Sequence, residues 1–190
     1  YDARGHGASV MDTSAASLHW NIMHDDFINL LEVLRGAGRL NGAVTAVGHS
    51  MGGAAVLCVA GRRPDLINAL IALDPVVWWP EMLLPSFSSE RKTALVEGAR
   101  RRRNVFASRN MAYDTWCGRG IFAGWDHAVL SAYLHFGLLD HEDEVRLACA
   151  PETEATIFDV NWHEDMRAIV GAIVAPGLVL HAKAGHFRRA

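Results

Sequence analysis

The sequence predicts an α/β fold built on a parallel, doubly wound sheet, and three observations carry that expectation. Short apolar runs at residues 43–47, 69–73 and 177–181 alternate with stretches of helical periodicity. Strands that alternate with helices over short connections pair in parallel, with helices packed against the sheet. The first run also turns directly into an alanine-rich helical pattern, residues 54–63, through Gly48-His49-Ser50-Met51-Gly52-Gly53. Ligands of such sheets sit at the carboxyl ends of the strands, which is where this turn lies.

The elements can be justified in order. Asp2-Ala3-Arg4-Gly5-His6-Gly7-Ala8-Ser9 is a glycine-rich turn of the kind that leaves the end of a buried strand. Between residues 20 and 34, Met23, Phe27, Leu30, Leu31 and Leu34 recur at spacings of three and four, one stripe of a helix that covers a sheet face. Asp25, Asp26, Asn29 and Glu32 fall on its other faces, and Gly36 and Gly38 end it. Residues 43–47 are then a β-branched and apolar strand.

At the turn that follows, the chain must reverse from strand to helix within about four residues, which puts Ser50 in a strained conformation at a helix N-terminus. Gly48 and Gly52 are expected to let the two backbones approach closely. The Ser50 hydroxyl is then presented outward, with the N–H of Met51 aimed at the same space as an oxyanion donor. An ordinary glycine-rich β–α turn explains the glycines but not a serine at the tip.

After this helix, Pro64-Asp65 breaks the pattern, and Ala69–Leu73 is expected to be a strand buried on both sides, ending in Asp74-Pro75. From Pro75 to about Arg167 no run has strand-like composition, and the segment is expected to be helical. Ser89 starts a helix through Arg100-Arg101-Arg102-Arg103. Ser108 caps the next, Asp126 caps one ending at Gly137, and Pro151-Glu152 begins another. The arginine run is a solvated helix face rather than an anion site, and Asp140-His141-Glu142-Asp143-Glu144 is an exposed loop without metal-ligand spacing. Gly177-Leu178-Val179-Leu180-His181, introduced by Ala175-Pro176, is a final strand.

Composition bounds the partners. The chain has 190 residues, 51% of them hydrophobic, and a net charge of −3, so it has enough apolar material for a core and no basic excess for nucleic acid or an anionic membrane. Cys58, Cys117 and Cys149 are few and widely spaced, which suits reduced thiols in a cytoplasmic setting. The longest nearly uncharged apolar stretch, residues 168–182, is too short to span a bilayer and contains Pro176. No cofactor or metal is expected.

Asp-x-Arg-Gly-His-Gly-x-Ser, then a helix, then Val-Gly-His-Ser-Met-Gly-Gly resembles the α/β-hydrolase superfamily, with its two motifs in the right order. The resemblance implies an α/β-hydrolase fold with core segments at residues 1–74 and 169–190 and a helical cap inserted at residues 75–168. Residues 100–109, Trp125-Asp126 and residues 147–152 resemble the cap of bacterial hydrolases related to peroxisomal lipase-type enzymes. In the superfamily the loop containing His6 shapes the pocket edge, so His6 is expected to be structural.

The same resemblance implies a Ser–Asp–His triad with Ser50 as nucleophile. Many members place the acid after the strand at residues 177–181, but Ala182-Lys183-Ala184-Gly185-His186 holds no carboxylate. The other site used in the superfamily is the tip of the strand after the elbow helix, which assigns the acid to Asp74; a turn-forming Asp-Pro is the alternative. The histidine and a second oxyanion donor are expected outside the 190 residues, His186 lying one strand too early. The chain is therefore expected to be an internal piece of a longer protein, with an incomplete sheet, and silent by itself. His49, Trp78, Trp79, Trp116 and Trp125 are expected to line an apolar pocket for a small acyl substrate, although a lid also needs large side chains for its own core. The expected reaction is hydrolysis of an ester-type bond; C–C hydrolysis, perhydrolysis and a non-catalytic small-ligand receptor are alternatives. A dehalogenase or epoxide hydrolase of this fold would want a carboxylate at residue 50.

Overall fold

A computed structural model of the chain describes residues 1–9, 13–77, 85–160 and 165–182, without the side chains of residues 85–91. Trp78, Trp79, Trp162 and His186 lie outside the described residues. The elements run α1 (Trp20–Gly36), β1 (Thr45–His49), α2 (Met51–Arg62), β2 (Ala69–Leu73), α3 (Pro85–Arg100), β3 (Val105–Phe106) and α4 (Arg109–Trp116). They continue with α5 (His127–Gly137), β4 (Leu138–His141), β5 (Glu144–Leu147), α6 (Pro151–Asp159), α7 (Met166–Gly171) and β6 (Gly177–Leu180). The chain divides into two compact units, Tyr1–Leu18 with Lys92–Val160, and His19–Arg91 with Asn161–Ala190.

The second of these units carries the parallel sheet, in the order β1-β2-β6. β1 pairs with β2 from Thr45↔Ala69 to His49↔Leu73, and β2 with β6 from Leu70↔Gly177 to Leu73↔Leu180. The strand tips are therefore flush. β2 is not buried on both sides: Leu70 and Ala72 are buried while Ala69, Ile71 and Leu73 are half-buried, so one face alone is well covered. α2 is buried from Gly53 to Ala60, which an amphipathic surface helix never is, and it forms the centre of the unit. It packs on β1, β2, α1 and α7. At Gly61 a Cβ would lie 2.2 Å from the Ile169 carbonyl oxygen, so glycine there permits the α2–α7 contact.

The α1 stripe is rotated from the expected one. Met23, Phe27 and Leu31 are buried, but with Trp20, His24 and Ile28, whereas Leu30 and Leu34 are half-buried. Arg63 at the end of α2 pairs with Glu32 and Asp65, and its hydrogen bonds hold the Asp65 carboxyl down at about 2.

The first unit departs from the helical expectation. It contains a three-stranded antiparallel sheet, β3-β5-β4, and the acidic stretch at residues 140–144 is the hairpin joining β4 to β5, not a plain loop. Glu142 makes the turn with φ +52, a conformation usually left to glycine or asparagine. Phe106, Leu138 and Val145 from this sheet enclose a core with Ala112 of α4 and Leu130 and Leu134 of α5. α3 begins at Pro85, ahead of Ser89, and stops at Arg100, so the remaining three arginines lie past its end. The run is engaged rather than simply solvated. Arg100 pairs with Glu97 and Glu152, Arg102 with Glu154, and Arg103 sits 4.6 Å over the Phe106 ring.

Ser108 caps α4 by accepting from Met111 N–H at 3.1 Å, and Asp126 caps α5 by accepting from Ala128 N–H at 2.8 Å. Each such cap contributes about 1 kcal/mol. The glycine-rich loop belongs to this unit, where Gly7 N–H donates to Ala148 O at 2.7 Å. Gly7 has φ +53, and a Cβ there would meet the Asp2 carboxylate at 2.3 Å. His6 is satisfied locally, its Nδ1 lying 3.0 Å from the Arg4 carbonyl.

Candidate active site

β1 ends at His49 and α2 begins at Met51, which leaves one residue for the reversal. That residue, Ser50, takes φ +52 and ψ −116. For a residue with a Cβ such a conformation costs on the order of 1–3 kcal/mol, and it persists only where the surroundings fix it. Three main-chain hydrogen bonds do so. Ser50 N–H donates to Leu73 O at 2.9 Å, and Ser50 O accepts from Ala54 N–H at 3.0 Å and Val76 N–H at 3.2 Å.

The strain releases the side chain. Serine at a helix start ordinarily accepts from an N–H one turn ahead, yet the Ser50 hydroxyl makes no capping bond and has no hydrogen-bond partner among the described residues. It is half-buried. Met51 is the first residue of α2, so its N–H has no acceptor within the helix and is free to donate to an anion at the helix N-terminus.

Two glycines make the turn possible, and they are not the expected pair. A Cβ at Gly48 would lie 2.1 Å from Gly52 O and 2.4 Å from Gly52 C, which no side chain can tolerate. Gly52 itself meets nothing within 4 Å, whereas Gly53 is tight, at 3.1 Å from Gly48 O and 3.0 Å from the Pro75 Cβ. Gly48→Ala is therefore expected to cost about 3 kcal/mol or more, and to yield little folded protein. Gly52→Ala, at a helical position with open space, is expected to leave stability unchanged or raise it by about 0.5 kcal/mol. Thermal melts of the two variants check this.

Asp74 stands one residue past β2 in a second strained turn, at φ +42. Its N–H donates to Leu180 O at 2.6 Å. The registers His49↔Leu73↔Leu180 put Ser50, Asp74 and His181 on three adjacent strand tips, in that order, at the carboxyl edge of the sheet. Neighbouring tips are about 4.8 Å apart. His181 Nδ1 lies 3.2 Å from Asp74 Oδ1. This imidazole–carboxylate pair was not among the expected site residues: a contact spanning 107 positions leaves no mark in local pattern.

His49, the last residue of β1, is exposed. Trp116 and Trp125 belong to an aromatic cluster of the other unit. Trp116 stacks on Phe122 at 5.2 Å and meets Phe106 edge-on at 5.1 Å, while Trp125 meets Phe122 at 5.0 Å and stays 39% exposed. Both thus serve the core of that unit, whatever else they contact. Among the described residues there is no His/Cys/Asp/Glu group able to hold a metal, and no helix long and apolar enough to cross a membrane. Cys58, Cys117 and Cys149 form no disulfide among the described residues; Cys58 is fully buried, and burial pushes the Cys149 thiol up to about 11.

Over residues 1–186 the chain matches the sequence family described as serine aminopeptidase, S33. A 37-residue stretch is 51% identical to lipase LipV of Mycobacterium tuberculosis, covering 20% of this chain and 14% of that protein. Among solved structures, E-2-(acetamidomethylene)succinate hydrolase superposes with a TM-score of 0.70 at 19% identity, over 94% of this chain. A peroxisomal α/β-hydrolase of Saccharomyces cerevisiae gives 0.65 at 16% identity over 97%. An esterase of M. tuberculosis gives 0.63 at 22% over 99%. The chain spans 60% of the length of each of these three structures. At such identities the likeness shows the α/β-hydrolase fold, and it covers both units.

Proposed function

The chain belongs to the serine aminopeptidase S33 family of the α/β-hydrolase superfamily, and from that premise we propose that the whole protein is a serine hydrolase that cleaves an ester-type bond of a small apolar acyl substrate. The observation that carries the proposal is the Ser50 turn: a strained residue between β1 and α2 whose hydroxyl has no hydrogen-bond partner among the described residues.

In this reading Ser50 Oγ attacks the substrate carbonyl and gives its proton to a histidine base. The carbonyl oxygen becomes an oxyanion opposite Met51 N–H, a donor worth about 2.7–4 kcal/mol in the transition state. The base returns the proton to the leaving alcohol, and water then releases the acyl group by the same steps. Asp74 is the acid that orients the base and stabilises its imidazolium form. The base itself is assigned to a histidine following residue 190 in the full-length protein. His49, Trp78, Trp79, Trp116 and Trp125 are the proposed lining of the acyl pocket. The lipase name of the relative that matches 37 residues of this chain supports an ester substrate.

A series of p-nitrophenyl esters with acyl chains from acetyl to decanoyl tests this on the full-length protein. Turnover that rises with chain length and then falls supports a bounded apolar pocket. Absence of turnover on every ester would refute the assignment.

A further inference from the structure

We propose that His181 is a positioning residue for Asp74, holding one carboxylate oxygen so that the other faces the catalytic base; this deepens the proposed function and rests on Asp74 being the triad acid. Asp74 is fixed at two points. Its main chain, in the left-handed region at φ +42, is tied to β6 by the 2.6 Å bond from Asp74 N–H to Leu180 O. Its side chain is tied to the next residue of the same strand, where His181 Nδ1–H donates to Oδ1 at 3.2 Å.

Among the described residues no other donor reaches the Asp74 carboxylate. With the side chain only 28% exposed, water alone does not set its orientation. Oδ2 has no partner among the described residues, and a triad acid needs one free oxygen aimed at the base.

The strand order separates this role from that of the base. Asp74 occupies the tip between Ser50 and His181, so the Cα of His181 stands two strand spacings, about 10 Å, from that of Ser50. His181 Nδ1 is already turned to the carboxylate, whereas a base must come within about 3 Å of the serine oxygen. His181 meets Asp74 from the side away from Ser50, where it orients the acid without blocking the base. At 50% exposure it has little packing to lose on substitution.

The test is a set of variants in the full-length enzyme with an ester substrate. His181→Ala is expected to lower kcat about tenfold with KM unchanged, the effect of losing one hydrogen bond to a charged group. His181→Asn, whose amide nitrogen can occupy the Nδ1 position, is expected to recover most of that loss. A residue that acts only through Asp74 must be idle once the acid is gone. His181→Ala in an Asp74→Asn background should therefore cost nothing further.

A loss in His181→Ala as large as that in Ser50→Ala would make His181 the base and overturn the proposal. So would an unchanged kcat, equal losses in the Ala and Asn variants, or additive losses with Asp74→Asn. Near-normal kcat in Asp74→Asn alone would instead show that the acid lies elsewhere, which removes the premise and the proposal together.

Discussion

Ser50→Ala in the full-length enzyme is expected to lower kcat on an ester about a million-fold while leaving thermal stability unchanged. The size follows from the chemistry: without Oγ no acyl-enzyme forms, and the oxyanion donor alone offsets only a few kcal/mol of the barrier. Stability should be indifferent because the hydroxyl makes no bond among the described residues and alanine suffers the same positive φ. Ser50→Gly separates the two effects. Glycine accepts φ +52 without penalty, so that variant should be equally inactive but more stable than the parent by about 1 kcal/mol. A site that stores strain for function shows this inverse pattern; a serine kept for packing does not. Stopped assays beside thermal melts of the three proteins give the comparison.

Asp74→Asn is expected to lower kcat about ten-thousand-fold with the fold intact. Asparagine tolerates the left-handed conformation that Asp74 adopts, and its carbonyl can still accept from His181. In the proposed triad it removes the negative charge that faces the base, together with the preference for the correct imidazole tautomer. A circular-dichroism spectrum and melt matching the parent would assign the loss to chemistry. A loss below about tenfold would point to a different acid.

The strand-to-helix reversal at Ser50 was legible because it is local. A β-branched run, three glycines and an alanine-rich helix must meet within a few residues, and sterics leave few ways to do so. The same holds for the caps at Ser108 and Asp126, where one side chain satisfies an N–H two or three residues on. The small sheet was not legible. β3 has two residues, β4 and β5 four each, and charged groups at Asp140, Glu144 and Arg146 interrupt what alternation there is. The turn offers no glycine either, since Glu142 takes the positive φ.

The glycine motif misled in a different way. Gly-x-Ser-x-Gly marks Gly52 as the partner of Gly48, but the contact is between the Gly48 side and the Gly52 main chain, and the glycine with a crowded Cβ position is Gly53. The Asp74–His181 pair depends on β2 and β6 lying side by side, which 103 intervening residues between Leu73 and Gly177 give no local means of predicting. Strand tips can be found from pattern; which tips face each other is decided by topology.

Labelling of the full-length protein with a fluorophosphonate, followed by peptide mass spectrometry, tests the central assignment most directly, because the probe reacts only with an activated serine. A single phosphonylated residue at Ser50, absent from Ser50→Ala and slowed in Asp74→Asn, is the predicted result. An unlabelled Ser50 in folded full-length protein, or a label carried by another serine, would contradict it.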